Sequence, residues 1–246
     1  MGSGVFVFVG VLDGVDVSTP EFGAAQGSVL SPLLGNVYLH YVLDVWFEES
    51  VRPRLRGKAT LVRYCDDFVI GFEREDDARR VMVVLGQRLG RFGLSLHPDK
   101  TRLLRFRRPP AGQKHGKGSA TFDFLGFTFY WARTRKGRWA MFFKTRSASL
   151  RQIVMTVYAW CRRHRHLPVR VQHQALTRRI QGHFNYFGVS GNFHALLLVV
   201  EQAKRSWYKW LCRRSQRSRL NWERFADLLR DFALPRPRIQ VRIWGP

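Results

Sequence analysis

Acidic residues are scarce in this 246-residue chain: 18 Asp and Glu stand against 42 Lys and Arg, for a formal net charge of +24. An excess of this size repels itself in the folded state unless something anionic neutralises it, and the usual partner is a nucleic-acid backbone. Cysteine is scarcer still. Cys65, Cys161 and Cys212 are scattered and never form a C-x-x-C pair, so a disulfide framework and a zinc site are both unexpected and a reducing cytoplasm fits. Long apolar runs are missing too. The stretch Val5-Phe6-Val7-Phe8-Val9 has no basic flank and is interrupted by Gly10 and Asp13, which argues against a signal peptide, and it is too short to span a bilayer. Phe6 stands where a myristoylation signal wants Ser or Thr. The expectation is a soluble cytoplasmic protein with no membrane partner and no internal repeat.

What is present is unevenly spread. From Arg146 onward there are 20 Lys and Arg against 4 Asp and Glu, net +16, whereas the first 145 residues carry 22 against 14, net +8. The C-terminal part is therefore the expected electrostatic grip. Hydrophobic residues make up 45% of the chain, enough for one large or two small cores.

The apolar period changes along the chain. Residues 5 to 19 read as one or two short strands with a turn at Asp13-Gly14 and no neighbour upstream. A small-residue loop from Gly23 runs into a helix reaching about Glu49, with Ser28 or Ser31 as cap and Leu33, Val37, Tyr41 and Val45 as its apolar stripe. Leu61–Cys65 and Phe68–Phe72 read as a hairpin. Ala78, Val81, Met82, Leu85, Leu89 and Phe92 then mark a helix ended by Gly93. Leu94 to Phe106 reads as strand, turn and strand, with His97-Pro98-Asp99 at the turn, and residues 109–119 as a loop. Thr121 to Lys144 reads as a hairpin returning through Arg135–Gly137. From about Ser147 the period becomes 3.6. Leu150, Ile153, Val154, Val157 and Cys161 form one stripe; Leu176, Ile180, Phe184 and Phe187 a second; Phe193, Leu196, Leu197, Val200, Trp207 and Leu211 a third; Trp222 to Phe232 is a shorter segment. The fold class is α+β, with residues 1–145 as a strand-helix domain and 146–246 as an all-α bundle.

The chemistry concentrates at Tyr64-Cys65-Asp66-Asp67. Two carboxylates on one tight turn repel each other unless a cation sits between them, and Mg²⁺ is held by one or two carboxylates together with substrate phosphates. In isolation such a pair reads most simply as a solvated turn. In the basic bundle, Arg205, Lys209 and Arg213 recur every four residues away from the apolar stripe, forming a face that can follow phosphates. Arg162, Arg163 and Arg165 end the first bundle helix, where the helix dipole alone accounts for them. Trp207 and Phe184 read as core; Tyr208 and Trp210 are open to either a core or a stacking role.

Taken in order, Gly23 to Asn36, Tyr64-x-Asp66-Asp67, Pro98-Asp99-Lys100-Thr101, Phe124-Leu125-Gly126-Phe127 and the run Arg179 to Val189 resemble the reverse transcriptases encoded by bacterial group II introns, over about Gly10 to Trp244. The resemblance implies a partial polymerase palm followed by a helical thumb or maturase domain. It implies RNA-directed DNA polymerase activity on an RNA template, a DNA primer and deoxynucleoside triphosphates, with group II intron RNA as a partner in splicing and mobility. Two Mg²⁺ ions serve such palms, one activating the primer hydroxyl and one neutralising the leaving pyrophosphate. The resemblance assigns Asp66 and Asp67 to the metals, Gln26, Gly27 and Lys100 to nucleotide and template, and Leu125 and Gly126 to the primer strand.

The chain departs from the family pattern in three places. The Gly-Thr-Pro-Gln-Gly-Gly loop becomes Gly23-Ala24-Ala25-Gln26-Gly27-Ser28, without its rigid proline. The small residue before the Asp pair is Cys65, expected as a small buried strand residue. The family's first catalytic Asp lies on an earlier strand for which the chain has no counterpart, and Asp13 and Asp16 sit too close to the Gln-Gly loop to be matched to it. This implies an N-terminally truncated frame without fingers, an incomplete metal set and weak polymerisation. A non-catalytic intron-RNA-binding splicing cofactor and an inactive remnant are the alternatives. No Cys/His cluster follows residue 231, so no zinc-supported endonuclease domain is expected.

Overall fold

The computed structural model describes residues 6–13, 31–110, 120–215 and 220–243, with backbone alone at 13 and 31. The chain divides into two compact units, residues 1–125 with 129–142, and residues 126–128 with 143–246.

The first unit runs β1 (Phe6–Asp13), α1 (Ser31–Leu39), β2 (Ala59–Tyr64), β3 (Asp67–Phe72), α2 (Glu75–Arg91), β4 (Ser95–Leu96) and β5 (Arg102–Arg105). The sheet order is β2-β3-β1-β4, with β5 also on β1, and every pairing is antiparallel. This is a β-α-β-β-α-β arrangement. β1, expected as a strand with nothing upstream to pair with, is the centre of the sheet, and its partners β3, β4 and β5 all come from downstream. Phe6, Val7, Phe8 and Leu12 are buried along it, as a continuous apolar run requires when both sides of a strand are covered.

Leu94 to Phe106 was expected to turn back on itself, but β4 and β5 lie along the same edge of β1 and in the same direction: Leu12 faces Leu96 and Val9 faces Arg102. They are one strand interrupted by a bulge at residues 97–101, so Pro98, which cannot donate to a ladder, sits outside it. The α1 stripe is also different. Leu33, Val37 and Tyr41 are exposed, whereas Leu39, Val42, Leu43 and Phe47 are buried. No residue from 32 to 38 is buried; burial begins at Leu39, and the helix continues in π geometry over His40–Val45 and Phe47–Val51. In α2 the expected face holds at Ala78, Val81, Leu85 and Leu89; Met82 is exposed. Gly93 takes φ 68° just past its end, where glycine avoids the Cβ clash of left-handed backbone. Buried Asp77 accepts hydrogen bonds from the Arg56 and Gly57 amides at 3.0 and 2.9 Å, fixing the loop before β2.

Residues 121–144 form two hairpins instead of one: β6 (Phe122–Phe124), β7 (Phe127–Arg133) and β8 (Trp139–Thr145) make a three-stranded sheet in that order. The extra reversal falls at Leu125 and Gly126, both at positive φ (48° and 76°), the backbone that a two-residue hairpin turn demands.

The second unit holds α3 (Ser147–Arg163), α4 (Val169–Phe187), α5 (Phe193–Cys212) and α6 (Trp222–Asp231). Val157, Cys161, Leu176, Ile180, Phe184, Leu196, Val200, Trp207 and Phe225 form its core, so Trp207 and Phe184 are core residues as expected. Phe193 and Leu197 are exposed instead, and Val199 and Ala203 take the buried side. The Trp207 indole donates to Gln172 Oε1 at 3.0 Å, satisfying the one polar atom of a fully buried ring. Asn192 ties the helices to the end of β8. It accepts from the Thr145 amide at 2.9 Å and donates to Thr145 Oγ1 at 2.7 Å and to the Phe187 carbonyl at 2.8 Å. Among the described residues, no helix is long and apolar enough to cross a membrane.

Candidate functional site

The acidic hairpin is tighter than its sequence suggested. Tyr64 pairs with Asp67, so the turn is Cys65-Asp66 and Asp67 is the first residue of β3. Cys65 is thus a turn residue at φ 53°, half-buried, and not the buried strand residue expected. A two-residue hairpin turn needs positive φ at its first central position, and a non-glycine residue there carries strain of about 1 kcal/mol or more. Arg63 and Asn36 hold that strain in place. Arg63 Nη1 donates to the Cys65 carbonyl at 2.9 Å and to Asn36 Oδ1 at 2.9 Å, while Asn36 Nδ2 donates to Cys65 Sγ at 3.6 Å.

The remaining donors of Arg63 close on Asp44. Nε and Nη2 reach its two carboxylate oxygens at 2.8 and 2.6 Å, a fork that is both stronger and more directional than a single ion pair. The hydrogen bond to Asp44 raises the Arg63 pKa against the opposing effect of burial. Sequence reasoning missed this network. Its only signal was a lone arginine in an otherwise apolar strand beside the carboxylates.

Asp66 is exposed, and its carboxylate has no hydrogen-bond or ion-pair partner among the described residues; Asp67 is half-buried. The open Asp66 oxygens suit a hard cation that also binds phosphate, which needs only one or two carboxylates from the protein. Among the described residues no cluster of three His, Cys, Asp or Glu side chains gathers around a metal position.

The centre strand ends at this turn. The Leu12 amide donates to the Asp66 carbonyl at 3.2 Å, and Val11 faces Asp67. Asp13, expected at a turn and not matched to the family's first catalytic Asp, is instead the last residue of β1, one backbone position past a residue bonded to the acidic turn. On the other side of β1, the His97 amide donates to the Val11 carbonyl at 2.9 Å. The bulge carrying exposed Lys100 thus lies at the same end of the sheet as Asp66 and Asp67.

Leu125 and Gly126 form the β6–β7 turn. A Cβ on Gly126 would stand 3.2 Å from Phe187 Cζ, and the Gly126 carbonyl accepts from the Arg146 amide at 2.8 Å. Packing therefore accounts for the glycine. Gln26 and Gly27 lie outside the described residues.

Arg205, Lys209 and Arg213 are all exposed near the end of α5. Lys209 Nζ donates to Tyr158 Oη at 3.1 Å. Lys209 and Arg213 stand 5.9 and 5.6 Å from the Trp210 ring centre, and Arg162 of α3 is 5.8 Å from it. Trp210, left open between core and surface roles, is buried.

A family model described as reverse transcriptase (RNA-dependent DNA polymerase) matches residues 13–129, a little under half of the chain. The stretch holds α1 through β6, including the Arg63 network, the acidic turn, Lys100 and the β6–β7 turn. Among curated proteins, none matches the chain.

Proposed function

We propose that the chain carries part of the palm of an RNA-directed DNA polymerase of the kind encoded by bacterial group II introns, followed by a basic helical unit that acts as thumb and maturase. The observation that carries this reading is the Asp66-Asp67 turn at the end of the β2-β3-β1-β4 sheet, inside the stretch matched by the reverse transcriptase family. The substrates on this reading are deoxynucleoside triphosphates, a DNA primer and an RNA template.

Asp66 and Asp67 would hold Mg²⁺, which when bound supplies charge neutralisation at the primer hydroxyl and the leaving pyrophosphate. Arg63 fixes the backbone on which the two carboxylates stand. Lys100, at the same end of the sheet, offers a mobile cation to a triphosphate. Leu125 and Gly126 would pass the primer, and Gln26 and Gly27 the nucleotide and template. The exposed cations Arg205, Lys209 and Arg213 would meet intron RNA.

Primer extension by the full chain with Mg²⁺ tests this reading. Slow, Mg²⁺-dependent cDNA synthesis is expected, abolished by Asp66→Asn. The slow rate follows from a carboxylate set with only two members identified from the sequence. Rapid synthesis that is lost in Asp13→Asn would mean that β1 supplies the third. Synthesis unaffected by Asp66→Asn would end the proposal.

A second reading, a splicing cofactor that binds RNA without polymerising, is favoured by the net +16 from Arg146 onward. It predicts splicing stimulation that survives substitution of both Asp66 and Asp67 by Ala.

A further inference from the structure

A concentration of positive charge lies between α3 and α5. Arg162, Lys209 and Arg213 all stand within 6 Å of the centre of one ring, Trp210, and none of them meets a carboxylate among the described residues. Cation–π contact offsets part of their mutual repulsion, worth about 0.5–1 kcal/mol for each exposed pair. It does not neutralise three positive charges held around one indole. The C-terminal ends of two helix dipoles, α3 for Arg162 and α5 for Lys209 and Arg213, favour each cation by about 0.3–1 kcal/mol, but they do not neutralise the three charges gathered at one ring.

A second observation adjoins the first. An open groove of about 420 Å³ is lined by Met155, Tyr158, Ala159, Arg162, Arg163 and Arg165. All but Arg165 share one face of α3 at helical spacing. Part of the lining is apolar: a thioether, a methyl group and a phenol ring. Three arginines complete it. Met155 is 57% exposed. Tyr158 joins the two features, because its ring packs at 70° and 5.5 Å on Trp210 while its hydroxyl accepts from Lys209. Lys209 Nζ also lies 5.0 Å from the centre of the same ring. The buried Trp210 Nε1 has no hydrogen-bond partner, leaving an unspent donor beside the three cations.

The geometry points to a subsite for one unpaired RNA nucleotide, with the base lying on Tyr158 and Met155 and the flanking phosphates held by Arg162, Lys209 and Arg213. The volume is near the lower end of small-ligand pockets, about 300–1,000 Å³, which suits one nucleotide and not a helix. An A-form duplex keeps its bases stacked inside and offers this surface only phosphates, whereas a loop or bulge can splay a base onto an aromatic ring. An acidic peptide would satisfy the cations but has no flat apolar group for the groove. The subsite rests on the RNA-binding reading of the helical unit and narrows it to unpaired segments of that RNA.

Binding of the full chain to a labelled 12-nucleotide single-stranded RNA and to a duplex of the same sequence tests the inference. Base stacking on an aromatic residue is worth about 1–3 kcal/mol, so Tyr158→Leu is expected to weaken the single strand at least ~5-fold and to leave the duplex within ~2-fold. Lys209→Gln is expected to lower the salt slope by about 0.7 for the single strand. Because Tyr158 also packs on Trp210, Met155→Ala provides a variant at an exposed position and is expected to show the same selectivity with a smaller loss. Equal losses on single strand and duplex, or salt-dependent RNA binding indifferent to both apolar substitutions, overturn the subsite alone. Polyglutamate displacing the single strand as effectively as unlabelled RNA of equal charge also overturns it, in favour of an acidic peptide. Absence of any salt-dependent RNA binding overturns the subsite and the RNA-binding reading together.

Discussion

Arg63 and Asp44 meet through two parallel hydrogen bonds, at 2.8 and 2.6 Å, and this pair anchors the acidic turn to the helical segment that follows α1. The same guanidinium holds the Cys65 carbonyl. The two carboxylates therefore stand on a strained turn whose geometry is set from outside the hairpin. A lysine at position 63 keeps the charge but loses the planar fork.

Arg63→Lys is accordingly expected to raise the Mg²⁺ concentration needed for half-maximal primer extension while leaving the fold intact. A loss of about 1–2 kcal/mol would lower the melting temperature by roughly 2–4 °C per kcal/mol. An unchanged Mg²⁺ requirement would show that the turn keeps its geometry without the fork.

Gly10 and Gly71 should respond in opposite ways to alanine. A Cβ on Gly10 would run into the Phe68 ring, meeting Cζ and, at 2.8 Å, Cε1, whereas Gly71 has nothing within 4 Å. Phe68 is fully buried and cannot move aside. Gly10→Ala is expected to cost about 1–3 kcal/mol by overpacking, read as a lower urea midpoint. Gly71→Ala is expected to be neutral or to add roughly 0.5–1 kcal/mol.

His183 makes the helical unit sensitive to acid. Burial pushes its pKa down to about 4, its Nε2 has no partner, and its ring lies 4.5 Å from that of Phe187. The unfolded chain protonates this histidine near pH 6.5, but the folded chain does not until about pH 4. The associated stability is fully present above pH 6.5 and is lost as pH falls from there toward 4, up to about 2–3 kcal/mol. Thermal melts between pH 4 and 7 should show a shallower slope for His183→Phe than for the parent. Equal slopes would place the titration elsewhere.

The three free cysteines should separate by reactivity. Cys161 is fully buried and its thiol is pushed up to about 12, mainly by desolvation, whereas Cys65 and Cys212 are half-buried. A thiol reagent reacts with the thiolate, so Cys65 and Cys212 are expected to label in the native chain and Cys161 only in denaturant. Native labelling of Cys161 would show that the α3–α4–α5 core opens.

Composition and pattern were sufficient for some of this. Asp66 and Asp67 between two apolar runs announce a hairpin with an acidic tip because strand propensity and turn chemistry are local. The change of apolar period near Ser147 marks the all-α part for the same reason, and Trp207 and Phe184 fall on its buried stripe. Local rules failed where a covering element or an unusual backbone conformation decided. Leu33, Val37 and Tyr41 lie on a perfect i, i+4 stripe and are exposed, because periodicity shows which residues share a face and not whether another element covers it; burial begins only at Leu39. Leu125 and Gly126 read as strand and are a turn, because positive φ in a leucine has no sequence mark.

The sequence by itself determined which groups are available: two adjacent carboxylates, an excess of cations concentrated after residue 145, and apolar residues enough for two cores. Tertiary structure decided who meets whom. Alternation tells a strand which residues share a face but not which strand lies beside it, so only pairing put β1 at the centre of the sheet, with its end on the Asp66 turn. Only packing brought Asp44 to Arg63 across 19 residues and Tyr158 to Lys209 across 51, because such contacts are set by burying whole faces and satisfying the polar groups that go in with them.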